Sequence, residues 1–180
     1  MKESAKKSFQ KILNIPFLRK NFRNMYFEEQ VIFVSQLATL IGCFLPWVSL
    51  KPTVYGQPYY HTAFSGFTSV IGFFVFFIAA FASIFFLEKI WQKKWIHLPI
   101  ENKTILHFSN IQSIILLISA WSVFTQIETG ATIVSTSFGW FLCLFAQITT
   151  LVAHFLATQN EKTQATKDFF INKTNEYFNP

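Results

Sequence analysis

The sequence contains few charged residues. Only 13% of its 180 residues are Asp, Glu, Lys or Arg, whereas a soluble domain carries about 25%. Hydrophobic residues make up 52% and aromatic residues 19%, with 24 Phe against 6 Gly. This composition excludes an intrinsically disordered chain, a collagen and a soluble domain with a charged surface. It indicates a single domain that lies in a membrane.

Charged residues are almost absent from four long apolar runs. Each run reaches the roughly 20 residues that an α-helix needs to cross a bilayer, and a charge at mid-membrane costs about 3 kcal/mol. Only Glu28 and Glu29 fall inside a run, at the mouth of the first. The runs are 27–48, 63–87, 105–127 and 131–157. We therefore predict an all-α fold, a polytopic membrane protein with four transmembrane helices in an antiparallel bundle.

The basic residues are divided unevenly between the two sides of these predicted spans. Four spans place both ends of the chain and the segment between the second and third spans on one side. Every Lys and Arg except Lys51 lies on that side. The positive-inside rule then predicts that both termini are cytoplasmic. The net charge of +6 is explained by this topology, and we expect the partner to be the lipid bilayer rather than nucleic acid.

The two ends of the chain differ in character. Residues 1–26 mix aromatic and basic side chains, which predicts an amphipathic tail on the cytoplasmic leaflet, and the first span is expected to act as an uncleaved signal-anchor. Residues 158–180 are polar and mixed in charge, which predicts a mobile cytoplasmic tail. Tryptophan favours the membrane interface, so Trp47, Trp91 and Trp95 are predicted to be interface anchors.

Small residues recur at helical spacing in the second and fourth runs. Such stripes let the backbones of membrane helices approach closely, so we expect them to be the helix-packing surfaces. The second run contributes Ser65, Ser69, Gly72, Ala79 and Ser83, and the fourth contributes Ser135, Gly139, Cys143, Ala146 and Thr150.

Amide side chains form a second polar feature inside the runs. We group them with one histidine as a predicted polar layer made of Gln36, Asn110, Gln112, Gln147 and His154. Such a layer can join helices through hydrogen bonds or line a path for a substrate. No carboxylate lies deep in a run, which argues against a proton-coupled transporter.

Two histidines and two cysteines are the remaining candidates for chemistry. His107 and His154 are predicted to lie at similar depth on neighbouring helices, as the axial ligands of a membrane b-type haem would. Only this one pair is present, so no cofactor and no metal site is expected. Cys43 and Cys143 form no Cys-x-x-Cys motif and are interpreted as small apolar packing residues rather than a disulfide. Catalytic fingerprints are absent, so the chain is not expected to be an enzyme.

One short motif carries a resemblance. Leu45-Pro46-Trp47 ends the first run, and Ser65-Gly66 opens the second after a short loop. From Gly42 to Gly72 the sequence resembles a loose group of small bacterial four-helix membrane proteins with a Leu-Pro-Trp motif ending the first helix. The resemblance implies a bacterial inner-membrane protein from a group without an assigned activity.

These observations give three hypotheses for the function. The first is a non-enzymatic structural or accessory subunit that acts through helix–helix association, either as a homo-oligomer or in a larger membrane complex. The second is a transporter or channel subunit in which the amide layer lines the path. The third is a haem b-binding redox subunit with His107 and His154 as ligands.

Overall fold

The computed structural model describes residues 20–52, 56–91, 102–127 and 132–178. Within these ranges four long helices alternate with three short strands. In chain order they are α1 (Phe27–Phe44), β1 (Pro46–Pro52), β2 (Tyr59–Thr62), α2 (Ser69–Trp91), α3 (Asn102–Ile127), β3 (Thr132–Thr136) and α4 (Phe138–Phe178). A 3-10 turn over Gly66–Thr68 leads into α2.

All four helices are long and apolar enough to cross a membrane. Their most apolar windows have mean hydropathies between 1.2 and 2.8. The segments are Phe27–Phe44, Gly66–Trp91, Thr104–Gln126 and Phe138–Phe170. The prediction of four such helices is confirmed.

The prediction of an all-α fold is wrong in one respect, because the chain also forms a small antiparallel sheet with the order β2–β1–β3. The central strand β1 pairs Leu50 with Tyr59 on one side and with Val134 on the other. The predicted first and fourth spans had covered the start of β1 and all of β3. Pro46 disfavours the helical conformation in the residue before it, and the β-branched residues of β3 favour an extended chain.

The helices form a closed ring in which each one packs against two neighbours. α1 makes its most extensive contact with α4, α2 lies between α1 and α3, and α3 completes the ring against α4. The core has two parts. The part near the sheet contains Trp47, Val75, Leu117, Trp140 and Cys143. The part at the opposite end contains Ile32, Ala82, Phe85, Phe86 and Ala153.

The predicted small-residue stripes lie largely inside this ring. Ala79 and Ser83 are buried, and Ser65 and Ser69 are half-buried. A Cβ atom at Gly139 would lie 2.7 Å from the carbonyl oxygen of Leu45, so α1 and α4 touch backbone to backbone there. The fourth-run residues buried in α4 are Gly139, Cys143, Ala146 and Thr150, while Ser135 lies in β3 opposite Ser49. Packing within the chain therefore uses most of both stripes.

The three tryptophans predicted as interface anchors have different positions. The Trp47 side chain is fully buried in the core below the sheet. Trp91 is the last residue of α2 and is half-buried, whereas Trp95 lies outside the described residues.

The buried indole of Trp47 allows a first test of the fold. Its Nε1–H donates a hydrogen bond to the carbonyl oxygen of Gly42 at 3.1 Å. A Trp47→Phe variant keeps an aromatic ring but loses this donor, so it should lose about 1 kcal/mol of unfolding free energy. Thermal unfolding of the detergent-solubilised protein measures the loss. Trp121→Phe is the control, since the Trp121 side chain is 51% exposed. Equal melting temperatures for the two variants would contradict the buried position of Trp47.

Helix α4 continues beyond the region that was predicted to span the membrane. It has 41 residues, which at 1.5 Å per residue is about 60 Å, roughly twice the thickness of a bilayer core. We call residues 158–178 the α4 extension. The sequence predicted a mobile tail in this region, and the structure gives a helix as far as Phe178.

Candidate functional site

A layer of buried polar side chains joins α1 to α4 near the middle of the bundle. The Gln147 amide Nε2 donates to the Thr39 hydroxyl at 2.9 Å and to Gln36 Oε1 at 3.3 Å. The Gln36 amide in turn donates to the Thr150 hydroxyl at 3.4 Å. All four side chains are at most 2% exposed, so the layer is shielded from solvent on every side.

The same layer extends to α3 through Asn110. The Asn110 amide Nδ2 donates to the main-chain carbonyl oxygen of Gln147 at 3.2 Å. Asn110 is 1% exposed, and Ser113, one helical turn further along α3, is fully buried. Three of the four helices therefore contribute polar side chains to one buried layer.

Three polar atoms of the layer have no hydrogen-bond partner among the described residues. They are Asn110 Oδ1, Ser113 Oγ and Gln147 Oε1. A buried polar atom without a partner costs about 1–3 kcal/mol. The layer consequently holds two amide oxygens that can accept hydrogen bonds and one hydroxyl group that can donate or accept.

The structure brings together some residues of the predicted layer and not others. Gln36, Asn110 and Gln147 lie in the layer, whereas Gln112 is exposed on the outer side of α3. His154 lies two turns along α4 from Gln147 and faces His107 instead. Thr39 and Ser113 also lie in the layer but were not predicted from the sequence. Each lies three residues after an amide of the layer, and this i, i+3 spacing was the signal that could have revealed them.

His107 and His154 do lie close together, at the end of the bundle opposite the sheet. Their ring centroids are 6.0 Å apart and their planes are nearly perpendicular. A haem would have to insert its macrocycle between the two rings. Asn110 lies one turn above His107 and already contacts the Gln147 main chain across the same pair of helices. α3 and α4 are therefore closed together one turn away from the histidines.

The described residues offer little else for binding a small molecule or a metal. A cavity of about 10 Å³ lies against the sheet, which is room for about one water molecule. It is lined by Val48, Leu50, His61, Ser65, Phe67, Thr68, Phe124 and Val134. No group of three or more His, Cys, Asp or Glu side chains is placed to share a metal ion in the described part of the chain.

No protein-family model, curated protein or solved structure matches this chain. The features of the chain that bear on function are the polar layer, the α4 extension and the distribution of charge.

Proposed function

We propose that this chain is a multi-pass protein of a bacterial inner membrane, with both termini in the cytoplasm. Four helices that are long and apolar enough to cross a bilayer support the membrane location. In the sequence, every basic residue except Lys51 falls in the segments on one side of the four predicted spans, and this pattern supports the orientation. The Leu-Pro-Trp resemblance supports the choice of membrane. The sheet then lies on the side of the membrane away from the cytoplasm.

In the proposed role, the protein is a non-enzymatic structural or accessory subunit that associates with itself or with another membrane protein. The observation that carries this proposal is the α4 extension. Every residue from 158 to 170 is exposed, and helical stability in proteins comes mostly from packing. A helix that projects into the cytoplasm with exposed apolar side chains, among them Phe169 and Phe170 at 62% each, is suited to contact a partner.

Polar contacts fix the base of this extension to α1. The Asn160 amide donates to the Glu28 carboxylate at 2.5 Å, and Glu29 forms an ion pair of 2.6 Å with Lys89 of α2. Exposed ion pairs contribute little to stability. Together, however, these contacts connect the start of α1 to the end of α2 and to the base of the α4 extension. The extension therefore leaves the bundle in a defined direction, which favours a docking role.

The test is to purify the full chain from its native membrane in a mild detergent and to measure its mass by light scattering. Mass spectrometry identifies any protein that comes with it. A Phe169→Ser/Phe170→Ser double variant should lose the association, while Phe67→Ser should keep it. Phe67 is 70% exposed at the sheet end and is the matched control. A monomeric wild-type protein that brings no partner would overturn the proposal.

A second candidate, a transporter or channel subunit, is favoured by the three unpartnered atoms of the polar layer. A solute that donates hydrogen bonds would satisfy Asn110 Oδ1 and Gln147 Oε1. In that case replacing Asn110 and Gln147 with Leu should abolish flux through reconstituted vesicles without unfolding the protein. Unchanged flux would remove this candidate.

A substitution of Ser113 distinguishes the two candidates. If the layer only holds helices together, the Ser113 hydroxyl is an uncompensated buried group, and Ser113→Ala should stabilise the protein by about 1 kcal/mol. If the hydroxyl binds a solute, the same change should lower the melting temperature of protein that retains the solute. The control is Ser119→Ala, because Ser119 is exposed on the same helix and donates to the Ile115 carbonyl oxygen at 2.9 Å.

The haem hypothesis has the simplest test. An absorbance spectrum of protein purified from the native membrane should lack a Soret band if His107 and His154 only pack against each other. A Soret band that disappears in a His154→Ala variant would revive the hypothesis.

A further inference from the structure

Two imidazole rings meet at the end of the bundle opposite the sheet, one from α3 and one from α4. The ring centroids of His107 and His154 are 6.0 Å apart, and the ring planes are inclined at 87°. Both residues are half-buried, so part of each is accessible from outside the bundle. Neither imidazole takes part in a hydrogen bond with the described part of the chain. Each neutral ring therefore keeps a nitrogen lone pair that can bind a metal ion.

The separation of the two rings is too long for a direct hydrogen bond between them. A ring nitrogen lies about 1 Å from its centroid, so an N–H···N hydrogen bond of about 3 Å holds the centroids no more than about 5 Å apart. A metal ion between two ring nitrogens, with metal–nitrogen bonds of about 2 Å, holds the centroids about 6 Å apart. The observed separation of 6.0 Å corresponds to the second arrangement.

Hydrogen bonds between α3 and α4 hold the two helices that carry these rings. The Asn110 amide, one turn from His107, donates to the Gln147 carbonyl oxygen at 3.2 Å. Further along, the Trp140 indole donates to the Leu117 carbonyl oxygen at 3.0 Å. A haem would need these helices to separate, whereas a bare ion needs only rotation of the two side chains.

We propose that His107 and His154 bind one Cu(I) ion between their imidazole rings. Imidazole is a good ligand for copper, and Cu(I) is stable with two nitrogen ligands in a nearly linear arrangement. Zinc takes four ligands in most protein sites. No group of three or more His, Cys, Asp or Glu is placed to share an ion among the described residues. A site with two ligands therefore favours Cu(I) over zinc.

The location of the pair agrees with this oxidation state. In the proposed topology the histidines lie at the cytoplasmic end of the bundle, in a compartment that is kept reducing. The oxidation state rests on that orientation, whereas the contact between the rings does not. Cysteine is a stronger ligand for Cu(I) than histidine, but Cys43 and Cys143 are fully buried in the core near the sheet. They lie at the other end of the bundle from the histidines.

The experiment titrates the full-length protein in detergent with the coloured complex of Cu(I) and bicinchoninate, in the presence of ascorbate and without oxygen. Loss of colour measures the copper that moves to the protein, and we expect one Cu(I) per chain. X-ray absorption of the loaded protein should show two nitrogen ligands at about 2 Å. A parallel sample loaded with Zn(II) should lose its metal on desalting.

Three histidine variants test which residues hold the ion. The loss of a residue that only orients a ligand already costs about 10–100-fold in metal affinity, so His107→Ala and His154→Ala should each cost at least about 100-fold. His61→Ala is the matched control, because His61 is half-buried in β2 at the opposite end of the bundle. It should bind copper like the wild type. An unchanged affinity in His154→Ala would refute the site.

The wild-type protein alone can overturn the proposal, so the test does not depend on how well the variants fold. No transfer of copper, or an absorption spectrum with sulfur ligands, would refute a site between the histidines. Retention of zinc without binding of copper would refute the choice of ion. None of these results bears on the light-scattering test of association, so failure of the copper site is distinguishable from failure of the proposed subunit role.

Discussion

A Gly72→Ala substitution is expected to lower the unfolding free energy by about 3 kcal/mol, at the upper end of what overpacking usually costs. The Cβ atom of alanine would lie 1.9 Å from the carbonyl oxygen of Ala63 and 2.5 Å from its carbonyl carbon. These are main-chain atoms that no side-chain rotation can move. To accept the methyl group, α2 must move away from the segment that precedes it, which opens the core around Val75.

Thermal unfolding in detergent, together with the yield of monodisperse protein, measures this effect. Gly42→Ala is the comparison, because its Cβ atom would meet the Cys143 sulfur at 2.6 Å, a side-chain atom that can shift. We expect a smaller loss for Gly42→Ala than for Gly72→Ala. If the Gly72→Ala protein had the same melting temperature as the wild type, α2 would not pack on Ala63 as described.

Replacing Gln147 with Leu is expected to cost about 2 kcal/mol. The change removes the donor that reaches both Gln36 Oε1 and the Thr39 hydroxyl. It leaves the Gln36 oxygen buried and without a donor, and a buried polar atom without a partner lowers the unfolding free energy. Part of the loss is offset because the unpartnered Gln147 Oε1 disappears with the same substitution.

A double-mutant cycle isolates this interaction from general packing effects. The variant with both Gln36 and Gln147 replaced by Leu should be more stable than the sum of the single losses predicts, because no amide is then left alone. Gln112→Leu is the matched control, since Gln112 has the same side chain on the exposed side of α3. Strictly additive losses would show that the two amides do not interact.

The sequence predicts the helices of this fold better than the contacts between them. Apolar runs almost without charge are sufficient to locate four long helices, because the physical requirement for crossing a bilayer is length and hydropathy. The inward side of each helix is harder to predict, because in a membrane the outward side is apolar as well. Gln112 and Gln147 look alike in the sequence, and only packing separates the exposed one from the buried one.

The small sheet was missed for a related reason. Residues 46–48, at the start of β1, and residues 132–136 are apolar or β-branched enough to have been included in the predicted helical runs. Their pairing connects segments 86 residues apart at Ser49 and Ser135, and a local pattern carries no information about such a partner. The Thr-Ile-Val-Ser-Thr sequence of β3 was nevertheless a strand signal. Trp47 looks like an interface anchor in the sequence. Its side chain is buried because it belongs to β1, the central strand of this long-range pairing.

The contact between α1 and α4 also sets an order of events during synthesis. Gln36 and Gln147 are 111 residues apart, so at about 5–20 residues per second the first helix is made roughly 5–20 s before its main partner. In the proposed membrane setting, the Gln36 amide is without its α4 partners throughout that interval, whereas the Thr39 hydroxyl already donates to the Ser35 carbonyl oxygen within α1. The first helix to enter the bilayer thus waits the longest for the partners of its amide. A chain whose synthesis stops before α4 would therefore keep the Gln36 amide in the membrane without a hydrogen-bond partner from α4.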